Sequence, residues 1–367
     1  MPVLYVILAA VMVASALGLW FLPQVTDPSI AFGVRIPPER RSDPAVVTAT
    51  GRYRLGLAIS LMIGLVLLFA VAWPSVGVAG PQLLFLVLFF LNYLVARHQV
   101  LTAKQAGQWF QGLRQGTAAA TDPDRGQGAF PWLYLAPALV LLALTLAIAI
   151  ASYRALPALI PVHFNLLGQP TRYAAKSWAS ALLPVWLELL VTGLITAASW
   201  FSWRSPRQIN PSQPAASLRR SWQFRARMVR LILLLATAVD LMLFISGLSM
   251  WHILQAGPSL RIALVLIPLV AAAILVVSSY RMGQEGVRMA APREAPTGLV
   301  ARDDDRLWKG GMLYFNPQDP AILVPKRFGI GWTLNFGHWL AWVVVPAILA
   351  VAVGLRLLIL RAGLAHP

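Results

Sequence analysis

Two carboxylates stand inside long apolar runs of this chain: Glu188 in the run 178–200 and Asp240 in the run 231–254. An ionised side chain at that depth is costly, so such residues usually face a bundle interior and mark proton or ion pathways. At 1.5 Å per residue, Glu188 lies roughly 15 Å from one end of its run and Asp240 roughly 14 Å from the opposite end of its own. Consecutive antiparallel helices would bring both to the middle of a hydrocarbon core about 30 Å thick. No Lys, Arg or His within a run sits at that depth, since His252 and Arg356 lie toward run ends. Two facing carboxyls would titrate as a coupled pair and share a proton, which suits a proton or cation site. The plainer reading is two neutral, hydrogen-bonded packing contacts, and the cost of charge alone does not separate the two.

A second cluster lies between apolar runs, in Pro161-Val162-His163-Phe164-Asn165-Leu166-Leu167-Gly168-Gln169-Pro170. Gly168 and Pro170 mark a turn, and Asn165 suits backbone bonding within it. Histidine is a common pH sensor and metal ligand, but His163 alone, with no Cys, Asp or Glu in its loop, is a poor metal signal. The plainer reading makes His163 and Asn165 keepers of the loop's own shape. A third cluster, Asp303-Asp304-Asp305 with Asp319, offers hard oxygen ligands without the glycine and glutamate spacing of a calcium loop. Solvation, or pairing with Arg306 and Lys309, is the expected state, so no metal is assigned. Hydrolase and phosphate-loop signatures are absent, so no catalytic residue, enzyme activity or cofactor is expected.

The elements that must position these residues are apolar runs near 3–23, 55–73, 80–96, 132–151, 178–200, 231–254, 262–280 and 339–360. A run of about 20 residues spans a bilayer as a helix. With 58% hydrophobic and 12% charged residues, the chain has too much apolar surface for a soluble fold to hide. The net charge of +17 taken alone suggests nucleic acid, but its distribution excludes that reading. When the loops are placed alternately on two sides, 24 of the 30 Lys and Arg fall on one side, in 24–54, 97–131, 204–230 and 281–338. Basic residues mark the cytoplasmic side and attract anionic lipid. The fold class expected is therefore an all-α polytopic protein of the plasma membrane with eight transmembrane helices and both termini outside. The first run lacks a basic n-region and reads as a retained helix. The chain has no cysteine, which excludes disulfides and thiol chemistry.

The expected organisation is a three-helix region 1–131, a four-helix region 132–280 carrying the His163 loop, a cytoplasmic segment 281–338, and a last helix with its tail, 339–367. Runs 55–73 and 80–96 form a tight hairpin across Pro74–Pro81, and Thr121-Asp122-Pro123-Asp124 reads as a turn. In 281–338, Met312–Phe315 and Ala321–Val324 are strand-like around Asn316-Pro317-Gln318-Asp319-Pro320. This predicts a small β-hairpin before the last helix. Lys326, Arg327, Trp332, Phe336 and Trp339 follow, a composition suited to the headgroup region. The stretches 32–37 (FGVRIP) and 328–333 (FGIGWT) are weakly alike.

PVHFNLLGQP, followed by Arg172, Tyr173, Lys176 and Pro184, resembles the P-x-H-F-N-x-x-G-x-P signature of a widespread bacterial membrane domain of unknown function (domain of unknown function 1648). Its best-known members are the SdpI-like proteins, which give immunity to a secreted killing peptide and act in signalling. The segment 32–54 resembles the glycine-isoleucine-arginine signature of those proteins, placed here before the His-Phe-Asn loop rather than after it. The segment 303–339 is similar to a second small uncharacterised module. The resemblance implies a binding or regulatory role, in immunity or signal relay, with His163, Phe164, Asn165, Gly168 and Pro170 meeting an external peptide or membrane partner protein. The alternative is a proton- or cation-coupled transporter using Glu188 and Asp240.

Overall fold

The computed structural model describes residues 2–70, 80–118, 128–164, 170–205, 207, 209–255 and 257–362. The chain is mostly helical and divides into two compact units. Unit 1 comprises Met1–Pro123, Pro206–Ser221 and Tyr280–His338; unit 2 comprises Asp124–Ser205, Trp222–Ser279 and Trp339–Pro367.

The helices are α1 (Pro2–Val25), α2 (Pro44–Ala70), α3 (Gly80–Ala106), α4 (Ala136–Ser152), α5 (Trp178–Ala181), α6 (Leu183–Arg204), α7 (Pro214–Met250), α8 (Pro258–Met282) and α9 (Trp339–Ala362). Among the described residues, seven helical stretches are long and apolar enough to cross a membrane: Tyr5–Val25, Pro44–Ala70, Gly80–Ala106, Trp132–Ala155, Leu183–Arg204, Pro214–Met250 and Ile262–Gly286. At most 28% of the most apolar window of any of them is buried within the protein. Outward faces that apolar need lipid as their solvent, so this is a multi-pass membrane protein. The eighth apolar run, 339–360, falls on α9.

Several helices outrun their apolar stretch. α2 begins at Pro44, eleven residues before the run at 55, because the Asp43 carboxylate accepts from the Ala45 amide at 3.0 Å and proline occupies the first helical position. α7 begins at Pro214, where the Glu294 carboxylate accepts from the amides of Ala215 and Ala216 at 3.3 and 2.8 Å. An anion there satisfies orphan N–H groups and complements the helix dipole. The expected helix 178–200 is broken. Ser177 and Ser180 form a capping box around the single turn α5, and α6 starts afresh at Leu183 with Pro184 in its first turn.

In unit 1, α1, α2 and α3 pack around an aromatic cluster of Phe32, Tyr53, Tyr93 and Phe328. Asn92 of α3 donates to the Tyr53 carbonyl at 2.7 Å, where Gly56 of α2 leaves room for the Asn92 side chain. Close backbone approach through small residues is how helices associate in lipid. The strands β1 (Ile30–Ala31) and β2 (Val34–Arg35) form a tight antiparallel turn, with Phe32 at φ 47° and Gly33 at φ 71°. A Cβ on Gly33 would meet the Gly311 carbonyl oxygen at 2.6 Å. The two weakly similar stretches meet here, since the rings of Phe32 and Phe328 stack at 5.9 Å.

Stretches drawn from all four basic segments interlock in unit 1. β3 (Gln115–Gly116) pairs in parallel with β6 (Val300–Ala301), Ala118 bridges to Ile209, and Thr297 bonds to the carbonyls of Pro211 and Ser212. Helices that cross and return place alternate loops together, and these loops are together.

The hairpin expected from Met312–Phe315 and Ala321–Val324 is replaced by two others. β7 (Trp308–Lys309) pairs with β8 (Leu313–Tyr314), and β9 (Leu323–Pro325) pairs with β10 (Trp332–Leu334). The turns are set by glycines at positive φ, Gly310 and Gly311 in the first and Gly329 and Gly331 in the second. The Asn316–Pro320 segment is held to the buried Asn335, whose amide donates to the carbonyls of Asn316 and Asp319 at 2.9 and 3.0 Å. The segments at Pro74 and at Thr121–Asp124 lie outside the described residues.

Candidate functional site

Between α4 and α6, unit 2 carries an antiparallel β-hairpin, β4 (Leu159–Phe164) and β5 (Pro170–Ala175). The register shifts between Pro161 and His163 and again between His163 and Phe164. Bulges of this kind bend a ribbon and re-aim its side chains. The base is anchored. Lys176 Nζ donates to the Leu156 carbonyl at 2.8 Å, Trp178 stacks on Tyr153 with centroids 3.7 Å apart, and Trp251 Nε1 donates to the Ala181 carbonyl at 3.0 Å. Ile160, Pro161 and Ala174 are buried, while His163, Pro170, Thr171, Arg172 and Tyr173 are exposed.

His163 Nδ1 lies 2.7 Å from Thr171 Oγ1 across the two strands, and Thr171 also reaches the His163 carbonyl at 3.3 Å. These bonds give His163 a part in the loop's own shape. Phe164 packs against the apolar cluster of Ile160, Val185 and Trp251. Asn165 and Gly168 lie outside the described residues, and Pro170 opens β5. The expectation of a compact turn is thus refined: bulged strands flank the turn positions.

Deeper in the same unit, Glu188 and Asp240 are fully buried, and each bonds to a threonine rather than to the other. Thr145 of α4 lies 2.8 Å from Glu188 Oε1 and 2.9 Å from the Leu141 carbonyl. Thr192 of α6 bonds to Asp240 Oδ2. Glu188 and Thr192 are one turn apart on α6, so a polar chain crosses three helices from α4 through α6 to α7. Glu188 Oε2 and Asp240 Oδ1 are buried without a hydrogen-bond partner, as are the hydroxyls of Thr196 and Ser199 further along α6.

Thr192, one turn along α6 from Glu188, is the residue that bonds to Asp240, so the two carboxyls are staggered along their helices by about one turn. Sequence reading missed Thr145 and Thr192; the available signal was the four-residue spacing of Glu188 and Thr192 within an apolar helix.

In unit 1 the acidic run forms a dense ion-pair cluster. Lys104 Nζ lies 2.7 Å from both Asp303 Oδ2 and Asp305 Oδ2. Arg327, fully buried, bonds to Asp305 Oδ1 at 2.5 Å and to Asp304, and its guanidinium lies over the Trp308 ring. Arg35 reaches Asp304 at 3.3 Å, and its amide donates to Asp305 Oδ1 at 2.8 Å. These partners replace the expected Arg306 and Lys309 as the cations that hold the run. Burial pushes the Asp304 carboxyl up, but the charges of Arg35 and Arg327 together outweigh it and hold it below the usual carboxylate range. Burial also lowers Arg327 and pushes the Tyr314 hydroxyl up to about 12. No group of three or more His, Asp or Glu among the described residues is arranged to hold a metal.

No curated protein and no solved structure matches this chain. Residues 317–342 match a family of unknown function, DUF5808, which covers β9, β10 and the start of α9. Residues 140–187 match a domain of unknown function, DUF1648, which runs from α4 through the whole β4–β5 hairpin into the first turn of α6 and stops one residue short of Glu188.

Proposed function

We propose that this multi-pass protein is a binding or regulatory component of the plasma membrane, similar in kind to the SdpI-like immunity proteins. Its β4–β5 hairpin meets an external peptide or a membrane partner protein. The carrying observation is the extent of the DUF1648 match: most of α4, the hairpin that follows it and the start of α6, with the hairpin's base buried and its far part exposed. A module of that shape suits recognition, because an open β-ribbon offers unpaired edge groups and bulge-directed side chains to an extended peptide. On this reading the chain spans eight times, with α9 as the last span, both termini lie outside, and the basic loops and the 303–339 module face the cytoplasm. The basic asymmetry of the loops supports that orientation. The test replaces the tip 165–169 with glycine and serine of equal length. The variant should insert normally and lose protection of sensitive cells against a secreted killing peptide, or any other phenotype of the intact protein. Full retention of that phenotype would contradict the reading.

The carboxyl–hydroxyl chain favours a second reading, a proton- or cation-coupled transporter. Two buried carboxyls, each with one oxygen lacking a partner, suit the acceptance and release of a proton or small cation. Flux that Glu188→Gln and Asp240→Asn abolish would support it.

A further inference from the structure

Unit 1 holds an open cleft of about 350 Å³ that neither reading uses. Five stretches of chain line it, around Arg35, Thr117, Asn210, Arg302 and Asn316. Its size falls in the range of small-molecule sites, about 300–1,000 Å³. Four arginines line it, Arg35, Arg207, Arg302 and Arg306, against the three acids Asp27, Asp303 and Asp304. Two of those acids are engaged by cations outside the lining: Asp303 pairs with Lys104, and Asp304 with Arg327. Counting those two cations and Asp305, which both of them also engage, six positive groups stand against four negative ones at and behind the cleft. Arg302 and Arg306 are exposed, four residues apart, on the stretch that also supplies the ion-paired aspartates. The side-chain amides of Asn210, Asn316 and Gln318 add neutral donors. Membrane orientation accounts for the number of arginines in these loops, but it does not require them to converge on one cleft.

We propose that this cleft binds a phosphate-bearing anion. Guanidinium groups present planar, paired donors that match phosphate oxygens, and several together outcompete water for a multiply charged group. The phosphate belongs either to a soluble organophosphate or to an anionic lipid headgroup, and the test separates the two. Full-length protein is placed in nanodiscs of phosphatidylcholine alone and titrated with inorganic pyrophosphate, with binding followed by tryptophan fluorescence. In parallel, protein from mixed phosphatidylcholine and phosphatidylglycerol nanodiscs is examined by native mass spectrometry for retained lipid. The double variant Arg302→Gln/Arg306→Gln leaves the Arg35–Asp304 and Arg327–Asp305 pairs in place. The charge-matched control Arg41→Gln/Arg52→Gln removes two exposed arginines outside the cleft lining.

Saturable pyrophosphate binding, weakened at least about tenfold in the first variant and unchanged in the control, supports a soluble ligand. Selective retention of phosphatidylglycerol, lost only in the first variant, supports a headgroup. In the wild-type chain the effective probe should also slow phenylglyoxal modification of Arg302 and Arg306 relative to Arg41, a readout that needs no variant. Failure of both probes, or equal loss in both double variants, overturns the proposal. Neither outcome bears on the hairpin reading, whose residues belong to unit 2.

Discussion

His163 and Thr171 face each other across the β4–β5 hairpin, with 2.7 Å between the imidazole Nδ1 and the threonine hydroxyl. The pair ties two bulged strands at the point where the ladder is irregular. A cross-strand contact of this kind contributes roughly 0.2–1 kcal/mol, too little to decide the stability of the whole protein and enough to fix the conformation of a short ribbon. Thr171→Val should therefore leave insertion and thermal stability unchanged while raising amide exchange in 159–175. Binding should weaken through disorder of the hairpin, and His163→Gln, which retains a hydrogen-bonding tip, should weaken it less than His163→Ala. Equal exchange in the wild type and Thr171→Val would show that the contact does not organise the hairpin.

The absence of cysteine makes orientation directly measurable. A single cysteine at Thr171 should react with a membrane-impermeant maleimide on intact cells. One at Arg293 should react only after the membrane is opened. The reverse pattern would overturn the proposed orientation while leaving the grouping of the four loops in unit 1 intact.

The Thr145–Glu188 contact carries its own arithmetic. The Thr145 hydroxyl has one proton and lies within 2.9 Å of two acceptors, Glu188 Oε1 and the Leu141 carbonyl. A neutral Glu188 resolves this by donating to the threonine, which then donates to the backbone. Infrared spectra in lipid at neutral pH should show a protonated carboxyl band that Glu188→Gln removes and Thr145→Val shifts. If neither change alters the band, Glu188 is ionised and the proton-site reading fails.

Arg327 has a fully buried side chain and two carboxylate partners, so Arg327→Leu leaves Asp304 and Asp305 short of charge in a confined site. Breaking such a buried cluster costs about 3–5 kcal/mol. Protease should then cut within 303–335 although the helices remain inserted. The acid dependence follows from Asp304, whose carboxyl is held below its ordinary value of 3.8. Its contribution is complete above that value and is lost as pH falls through the lower folded value. Protection of 303–335 against hydrogen exchange, taken relative to the intrinsic rate at each pH, should therefore match at pH 7 and pH 5 and fall only below about pH 4. A loss of protection between pH 7 and 5 would assign the docking to another group.

The helices were legible because long apolar runs leave few alternatives in lipid. Helix starts were less so, since polar turns such as 44–54 carry no membrane signal. The Asp43-Pro44 cap was nevertheless readable as local chemistry. The module at 303–335 defeated strand pairing by pattern, because the partners of Leu313 and Leu323 are chosen by glycines at positive φ and by Asn335, not by strand-like composition. At the buried site, charge cost pointed to Glu188 and Asp240. Their partners Thr145 and Thr192 stayed hidden, because a threonine in an apolar helix ordinarily satisfies itself on the preceding turn. The cations of the acidic cluster come from positions 35, 104 and 327, distances in sequence that no local pattern reports.

The claim that the hairpin recognises an external ligand is tested most directly by site-specific photo-crosslinking in living cells, with the photoreactive residue placed at the exposed Tyr173, which leaves the His163–Thr171 contact in place, or, as a control, at the exposed Leu144 of α4. The account predicts a discrete peptide or protein adduct at position 173. That adduct should be absent at 144 and lost when Gly168→Val is added to a chain that still inserts. Adducts only with lipid at both positions, or an adduct at 173 indifferent to Gly168→Val, would contradict it.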